Sequence, residues 1–263
     1  MVIRQLLLVS CLLSVIGLPA VAADTRVALP QLTAAQIVEK NVAARGGLQA
    51  WRAVKTLTFS GEVEAGAKEN PTLPFTMKMK RPRKSRLEIK FQGDTAVQVY
   101  DGVNGWKLRP FLGRREVEPY TPDEARTALD WQDLDGPLVD YASKGNKVQL
   151  DGTEAVEGHP CYRLQLTLGN GQVRHVWIDA QTFLELKMEG SPRRMDGRMR
   201  MVTTYLREYK PEGGLMIPHV LETAVEAGKK THKMIIQAVA ANVALDDSLF
   251  SRPAVLVAAS PLK

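Results

Sequence analysis

The stretch Thr72-Leu73-Pro74-Phe75-Thr76-Met77-Lys78-Met79-Lys80-Arg81-Pro82-Arg83-Lys84-Ser85-Arg86-Leu87-Glu88-Ile89-Lys90-Phe91 alternates apolar and polar residues on both sides of a basic turn. Leu73, Phe75, Met77 and Met79 fall on one face, with Thr72, Thr76, Lys78 and Lys80 on the other. Beyond the turn, Leu87, Ile89 and Phe91 oppose Arg86, Glu88 and Lys90. Successive strand side chains point to opposite faces, so this period of two predicts a long hairpin with one apolar side. Similar alternation recurs down the chain, which points to a sheet that holds something apolar.

Working outward, Thr33 stands as the N-cap of a helix over 34–45, with Ile37, Val38 and Val42 as its apolar stripe. Gly46-Gly47 ends it, and a further helical turn or two carries Trp51 over 48–54. Strands are predicted at 56–64, 72–80, 84–91, 96–100, 106–109 and 114–118. Thr121-Pro122-Asp123-Glu124 then starts a helix reaching about Trp131, and Gly136-Pro137 restarts a short one through Tyr141. Strands return at 147–154, 161–168, 173–179, 183–189, 199–208, 215–225 and 230–240, separated by Gly- and Asx-rich turns. No Pro- or Ser-rich linker divides them. The reading is mainly β with some helix (α+β): one domain over 24–263, a strongly curved antiparallel sheet whose concave face is covered by helices.

The first residues read as a secretory signal, 1–23. Arg4 lies before an apolar run from Leu6 to Leu18, and Pro19-Ala20-Val21-Ala22-Ala23 is a small-residue exit. The run is too short for a membrane-spanning helix. Leu8-Val9-Ser10-Cys11 is a weaker lipoprotein-processing alternative. With the signal removed only Cys161 remains, so no internal disulfide forms, and its place in an alternating strand reads as a small core residue. The net charge of +6 is spread along the chain and suits an envelope protein near anionic lipid or acidic partners. An exported chain without interleaved basic and aromatic residues does not suit nucleic acid.

Familiar catalytic signatures are missing: no Gly-x-Ser-x-Gly elbow, His-Glu-x-x-His, Walker loop or dinucleotide-binding glycine pattern occurs. His159, His175, His219 and His232 sit far apart, which argues against a metal site, and no cofactor is implied. Asp133-Leu134-Asp135-Gly136 is a poor calcium loop, with Trp131 and Ala142 where acidic ligands belong, and reads as a helix break. Carboxylate pairs such as Glu62 with Glu64, or Glu222 with Glu226, read as solvated faces. What remains is apolar and soft. Met77, Met79, Met188, Met199 and Met201 lie on strands, as adaptable lining or as core filling. Trp51, Trp106, Phe111 and Trp131 read as lid or rim anchors or as core. Lys80-Arg81 with Arg83-Lys84-Arg86, and Arg193-Arg194 with Arg198-Arg200, suit phosphates or acidic partners, or else solvated hairpin ends.

Met77-Lys78-Met79-Lys80-Arg81-Pro82, followed by Tyr100-Asp101-Gly102, Trp106 and Pro110-Phe111, resembles the periplasmic lipoprotein carriers of the LolA type. Leu32-Thr33-Ala34-Ala35-Gln36-Ile37-Val38 with Gly46-Gly47-Leu48, and the ending Asn242-Val243-Ala244-Leu245-Asp246-Asp247-Ser248-Leu249-Phe250, are similar to the two ends of the broader outer-membrane lipoprotein-sorting-like group. The resemblance implies an incomplete β-barrel with a helical lid and a cavity for lipoprotein acyl chains. In that family the arginine of Lys-Arg-Pro ties lid to barrel and tunes cargo release; it maps to Arg81. The chain is longer than those carriers around 190–197 and 208–214, which leaves lipid or a membrane-bound partner as alternative cargo.

The expected cavity lining is Leu73, Phe75, Met77, Met79, Leu87, Ile89, Phe91, Trp106 and Phe111, with Arg81 controlling the lid. The function this implies is non-catalytic binding and transfer of acyl chains or a lipid-like ligand through the periplasm toward the outer membrane. Its partners would be inner- and outer-membrane transport proteins, and the chain itself would not be integral to a membrane. An envelope sensor of the same architecture and an exported hydrolase are the alternatives.

Overall fold

The computed structural model of the chain describes residues 29–65, 72–131, 133–195, 197–225 and 231–254. The expectations for the signal segment, Cys11 and Glu226 lie outside the described residues, as does the Trp131 side chain. The first element, α1 (Ala34–Ala44), begins where the sequence places its cap. The Thr33 hydroxyl accepts from the Gln36 N–H at 3.2 Å, while the Gln36 side chain accepts from the Thr33 N–H at 2.9 Å. Its buried stripe is Ile37, Val38 and Val42. Gly46 and Gly47 turn the chain at positive φ into α2 (Leu48–Ala53), which buries Trp51.

Six strands follow as a meander: β1 (Thr56–Glu64), β2 (Thr72–Lys80), β3 (Lys84–Phe91), β4 (Asp94–Tyr100), β5 (Gly105–Arg109) and β6 (Arg114–Pro119). After α3 (Pro122–Ala128) a second meander runs β7 (Lys147–Val156), β8 (His159–Thr167), β9 (Val173–Asp179), β10 (Glu185–Met195), β11 (Arg198–Glu212), β12 (Leu215–Val225) and β13 (Thr231–Ala241). Pairing of β1 with β13 joins the two meanders into one antiparallel sheet of 13 strands, ordered β6-β5-β4-β3-β2-β1-β13-β12-β11-β10-β9-β8-β7. The end strands β6 and β7 do not pair, so the barrel is incomplete, as expected.

A bulge marks the joint. The β1–β13 register shifts between Ser60 and Gly61, and a Cβ on Gly61 would lie 1.9 Å from the Ile235 carbonyl oxygen. Only glycine allows that approach, and bulges of this kind bend and twist a sheet.

The inner face carries two apolar clusters. In the first, Ile37, Val38 and Val42 of α1, Trp51 of α2, and Leu134, Leu138 and Val139 of the segment between β6 and β7 cover Leu57, Met79, Tyr162, Leu164, Leu166, Val176, Ile178, Leu215 and Ile217 from both halves of the sheet. That is the helical cover the sequence led us to expect. One part of it differs: residues 136–141 form turns, not a helix. Gly136 and Asp140 both take positive φ, which a right-handed helix does not admit.

Candidate hydrophobic ligand site

The second cluster contains only strand residues. Phe75, Leu221 and Ile236 are its buried centre, and Phe59, Val63, Met77, Leu87, Ile89, Leu206, Met234 and Val239 pack around them. The pairing explains why they share a face. Phe75 lies opposite Ile89 and Gly61, Met77 opposite Leu87 and Phe59, and Leu206 opposite Leu221. Among the described residues no helix or loop residue belongs to this cluster. Leu73, Met77, Leu87, Ile89 and Phe91 each keep part of their surface exposed, and Gln98, opposite Leu87 on the same face, is exposed. Among the described residues the inner face thus carries the helical cap over one part and a strand-only wall with a buried centre and a partly exposed margin over the other, with Phe59, Met77 and Val239 shared between the two.

Several residues expected to line a cavity therefore stand together. Phe75, Met77, Leu87 and Ile89 lie in the strand-only wall, and Leu73 extends it opposite Val63. Met79 belongs under the cap, opposite Leu57. Phe91 meets Phe111 edge-on at the outer end of the hairpin, with ring centroids 5.8 Å apart. Trp106 is the correction. It lies opposite Val99, and Leu108 opposite Val97, on the outer face, where Phe250, Leu245 and Leu249 of the C-terminal segment cover them. Met199 and Met201 depart similarly, exposed on the opposite side of β11 from Val202 and Leu206, whereas Met188 packs under the cap. Sequence reasoning missed the wall residues Phe59, Leu206, Leu221, Met234 and Ile236. The alternation of Leu57, Phe59, Gly61 and Val63 was a visible signal for the first of them.

Arg81 sits where β2 meets the cap. Its Nε donates to the Val54 carbonyl at 2.8 Å, and its terminal nitrogen donates to the Trp51 carbonyl at 3.1 Å and to Asp135 Oδ2 at 2.8 Å. The first two acceptors end α2, and the third belongs to the segment between β6 and β7. Asp135 is buried and also accepts from Lys144 at 2.6 Å, so the acids read as a helix break form an ion-paired anchor. Buried Arg45 adds a second tie, donating to the Asp135 carbonyl at 3.0 Å and to Glu185 at 3.2 Å, with its guanidinium 4.6 Å from the Trp51 ring centre. A buried carboxylate without partners is costly, so each of these acids depends on its cation. Burial holds the Asp133 carboxyl above its ordinary range despite Lys144.

The rest of the segment between β6 and β7 is pinned in the same way. Asp130 binds Arg174 at 2.5 Å and accepts from the Ser191 hydroxyl and N–H at 2.9 and 2.8 Å. On α3, burial works against ionisation of Glu124, but hydrogen bonds from Lys107, the Thr121 N–H and Arg109 outweigh it and hold its carboxyl at about 2. Beside this segment lies a cleft of about 490 Å³ with an apolar floor that includes Leu166, Val176 and Met188. Its rim carries both signs of charge, among them Arg83, Lys144, Asp133 and Glu189.

Cys161 is fully buried, and burial pushes its thiol up to about 11, so it packs as a core residue. His159 contacts Asp179, His175 contacts Glu189, and His219 is buried against the Ile236 carbonyl. Among the described residues no three His, Cys, Asp or Glu side chains gather as metal ligands would. No helix among them is long and apolar enough to cross a membrane.

No protein-family model and no curated protein matches the chain. Solved structures do. A LolA superfamily protein from Nitrosomonas europaea superposes with a TM-score of 0.54 at 16% identity, covering 84% of this chain and 98% of that one. A DUF1329 family protein from Desulfovibrio piger gives 0.54 at 15% identity over 83% of this chain and 97% of its own. An outer membrane lipoprotein-sorting protein domain from Vibrio parahaemolyticus gives 0.53 at 15% identity, over 81% and 94%. At such identities the likeness is one of fold. The open, helix-capped sheet implied by the sequence resemblance is the fold this chain shares with them.

Proposed function

We propose that this chain binds the acyl chains of a lipoprotein, or a similar lipid-like ligand, on the uncapped inner wall and carries them through the periplasm toward the outer membrane without chemical change. The observation that carries this reading is the cluster around Phe75, Leu221 and Ile236, to which only strand residues contribute among the described residues. Leaving the partly exposed margin of this wall, Leu73, Met77, Leu87 and Ile89, in water costs free energy, and an acyl chain buried against it gains about 0.8 kcal/mol per methylene. The solved structures named for the LolA superfamily and for lipoprotein sorting share this fold and support the reading. Arg81 and Asp135 are the proposed control of the cap, since they tie it to the end of the strand that carries the wall. Transport partners on the inner and outer membranes belong to the same proposal.

The test is titration with a dye that fluoresces in apolar surroundings. Leu87→Glu places a charge on the half-exposed wall and is expected to weaken dye binding at least tenfold while the β-sheet circular dichroism persists. Unfolding of that variant would instead mean that the wall is an ordinary closed core. Binding at wild-type strength would place the ligand elsewhere.

A further inference from the structure

The two basic clusters of the sequence meet different fates. In the first, Lys80 and Lys84 both reach Asp247 at 2.9 Å, Arg86 reaches Glu88 at 2.6 Å, Arg81 is bound to Asp135, and Arg83 faces Asp133 at 3.9 Å. These charges are consumed within the fold. In the second cluster, where Asp196 lies outside the described residues, only Arg194 has an acidic neighbour among those described, Asp123 at 3.9 Å. Among the described residues no carboxylate pairs with Arg193, Arg198 or Arg200.

Geometry makes this costly for the protein alone. Among the described residues, β10 and β11 pair only with each other beyond the Met188–Val176 pair on one side and the Val202–Val225 pair on the other, forming a two-stranded ribbon. Arg193 lies directly opposite Arg200 in it, and like charges so placed destabilise a sheet. Arg193, Arg194 and Arg198 are exposed, as are Met199 and Met201 beside them. All four cations are arginine, whose planar fork matches phosphate oxygens in pairs.

We propose that this ribbon tip docks the protein onto the surface of an anionic phospholipid bilayer. The arginines take the lipid phosphates, and the methionines on the other side of β11 enter the boundary beneath the headgroups. The exposed methionines favour a bilayer over an acidic protein, which would offer carboxylates but no apolar layer. The tip runs through Val202 directly to Leu206 of the inner wall, so docking brings that wall's own strand to the lipid. This goes beyond the ligand-binding reading, because docking needs no bound ligand.

Co-sedimentation with vesicles tests it. The protein is expected to bind vesicles of equal parts phosphatidylglycerol and phosphatidylcholine, to ignore phosphatidylcholine alone, and to dissociate in about 1 M sodium chloride, where the screening length falls to about 3 Å. At roughly fivefold for each arginine near the surface, Arg193→Gln/Arg198→Gln/Arg200→Gln is expected to bind about a hundredfold more weakly. Single Arg198→Gln, which leaves the ribbon's opposed pair in place, is expected to lose about fivefold and stands in should the triple variant misfold. Lys90→Gln/Arg114→Gln/Arg115→Gln removes the same net charge elsewhere and is expected to change little. The proposal is overturned if the wild type ignores the anionic vesicles, if the ribbon variants bind as well as the wild type, or if the charge-matched control loses as much. Capture of polyglutamate without vesicle binding would likewise overturn it, in favour of an acidic protein partner.

Discussion

Arg81 gathers acceptors from two separate parts of the cap, the end of α2 and the buried Asp135. Hydrogen bonds that involve a charged group contribute about 1.5–3 kcal/mol each, and losing one partner of a buried pair costs more than the pair is worth. In Arg81→Leu, Asp135 keeps Lys144 at 2.6 Å and water replaces part of what the partly exposed Arg81 supplied, so the fold is expected to survive with a stability loss of about 2–3 kcal/mol, below the sum of the three bonds, while the cap loosens. Stopped-flow release of a bound apolar dye is expected to quicken about tenfold, and Arg81→Lys, which keeps charge but not the fork, to fall between. Unchanged release in both would remove Arg81 from control of the cap. Truncation of buried Phe75 would cost about 3–5 kcal/mol and confuse binding with folding, which makes half-exposed Leu87 the cleaner wall residue to change.

At the scale of elements, α3 hangs on one carboxylate. Glu124 caps the helix through Thr121 and receives Lys107 and Arg109 from β5. Its folded value, about 2, lies below the ordinary carboxylate value of about 4.3, so ionised Glu124 stabilises the docked helix above that ordinary value. This support is lost as pH falls from about 4.3 toward 2. Hydrogen exchange of the amides of α3, corrected for intrinsic rates, is expected to accelerate over that window relative to the strands of the cap cluster, and Glu124→Gln to show the faster exchange already at neutral pH. Equal protection in wild type and variant would deny Glu124 this role.

Legibility also divides by element. The period of two located all the strands, because a sheet with one buried face repeats its pattern in every strand. Parity within a strand does not say which face is inner. On β4 the more apolar side, Val97 and Val99, faces outward, because Phe250 and its neighbours arrive from the far end of the chain to cover it. The turn at residues 101–104 sets Trp106 opposite Val99 and sends it to that same outer side. Residues 136–141 were illegible for another reason: their conformation follows from ion pairs made by Asp135 with Arg81 and Lys144, which no local pattern announces.

Over the whole molecule, one sheet begins and ends at unpaired edges, and the chain spans the gap between them with the segment that Arg45, Arg81 and Arg174 hold down. The cap covers the part of the inner face near α1 and α2, and among the described residues only strands build the Phe75 wall. The partly exposed margin of that wall carries a standing cost in water, unless something apolar completes it. The central claim is that a lipid-like ligand does so. It is tested most directly by native mass spectrometry of the protein purified from an envelope fraction without detergent, followed by extraction and identification of whatever remains bound. The account expects an acyl-bearing molecule held by the wild type and lost from Leu87→Glu. A wild-type chain that is free of lipid, and takes up none when offered, would contradict it.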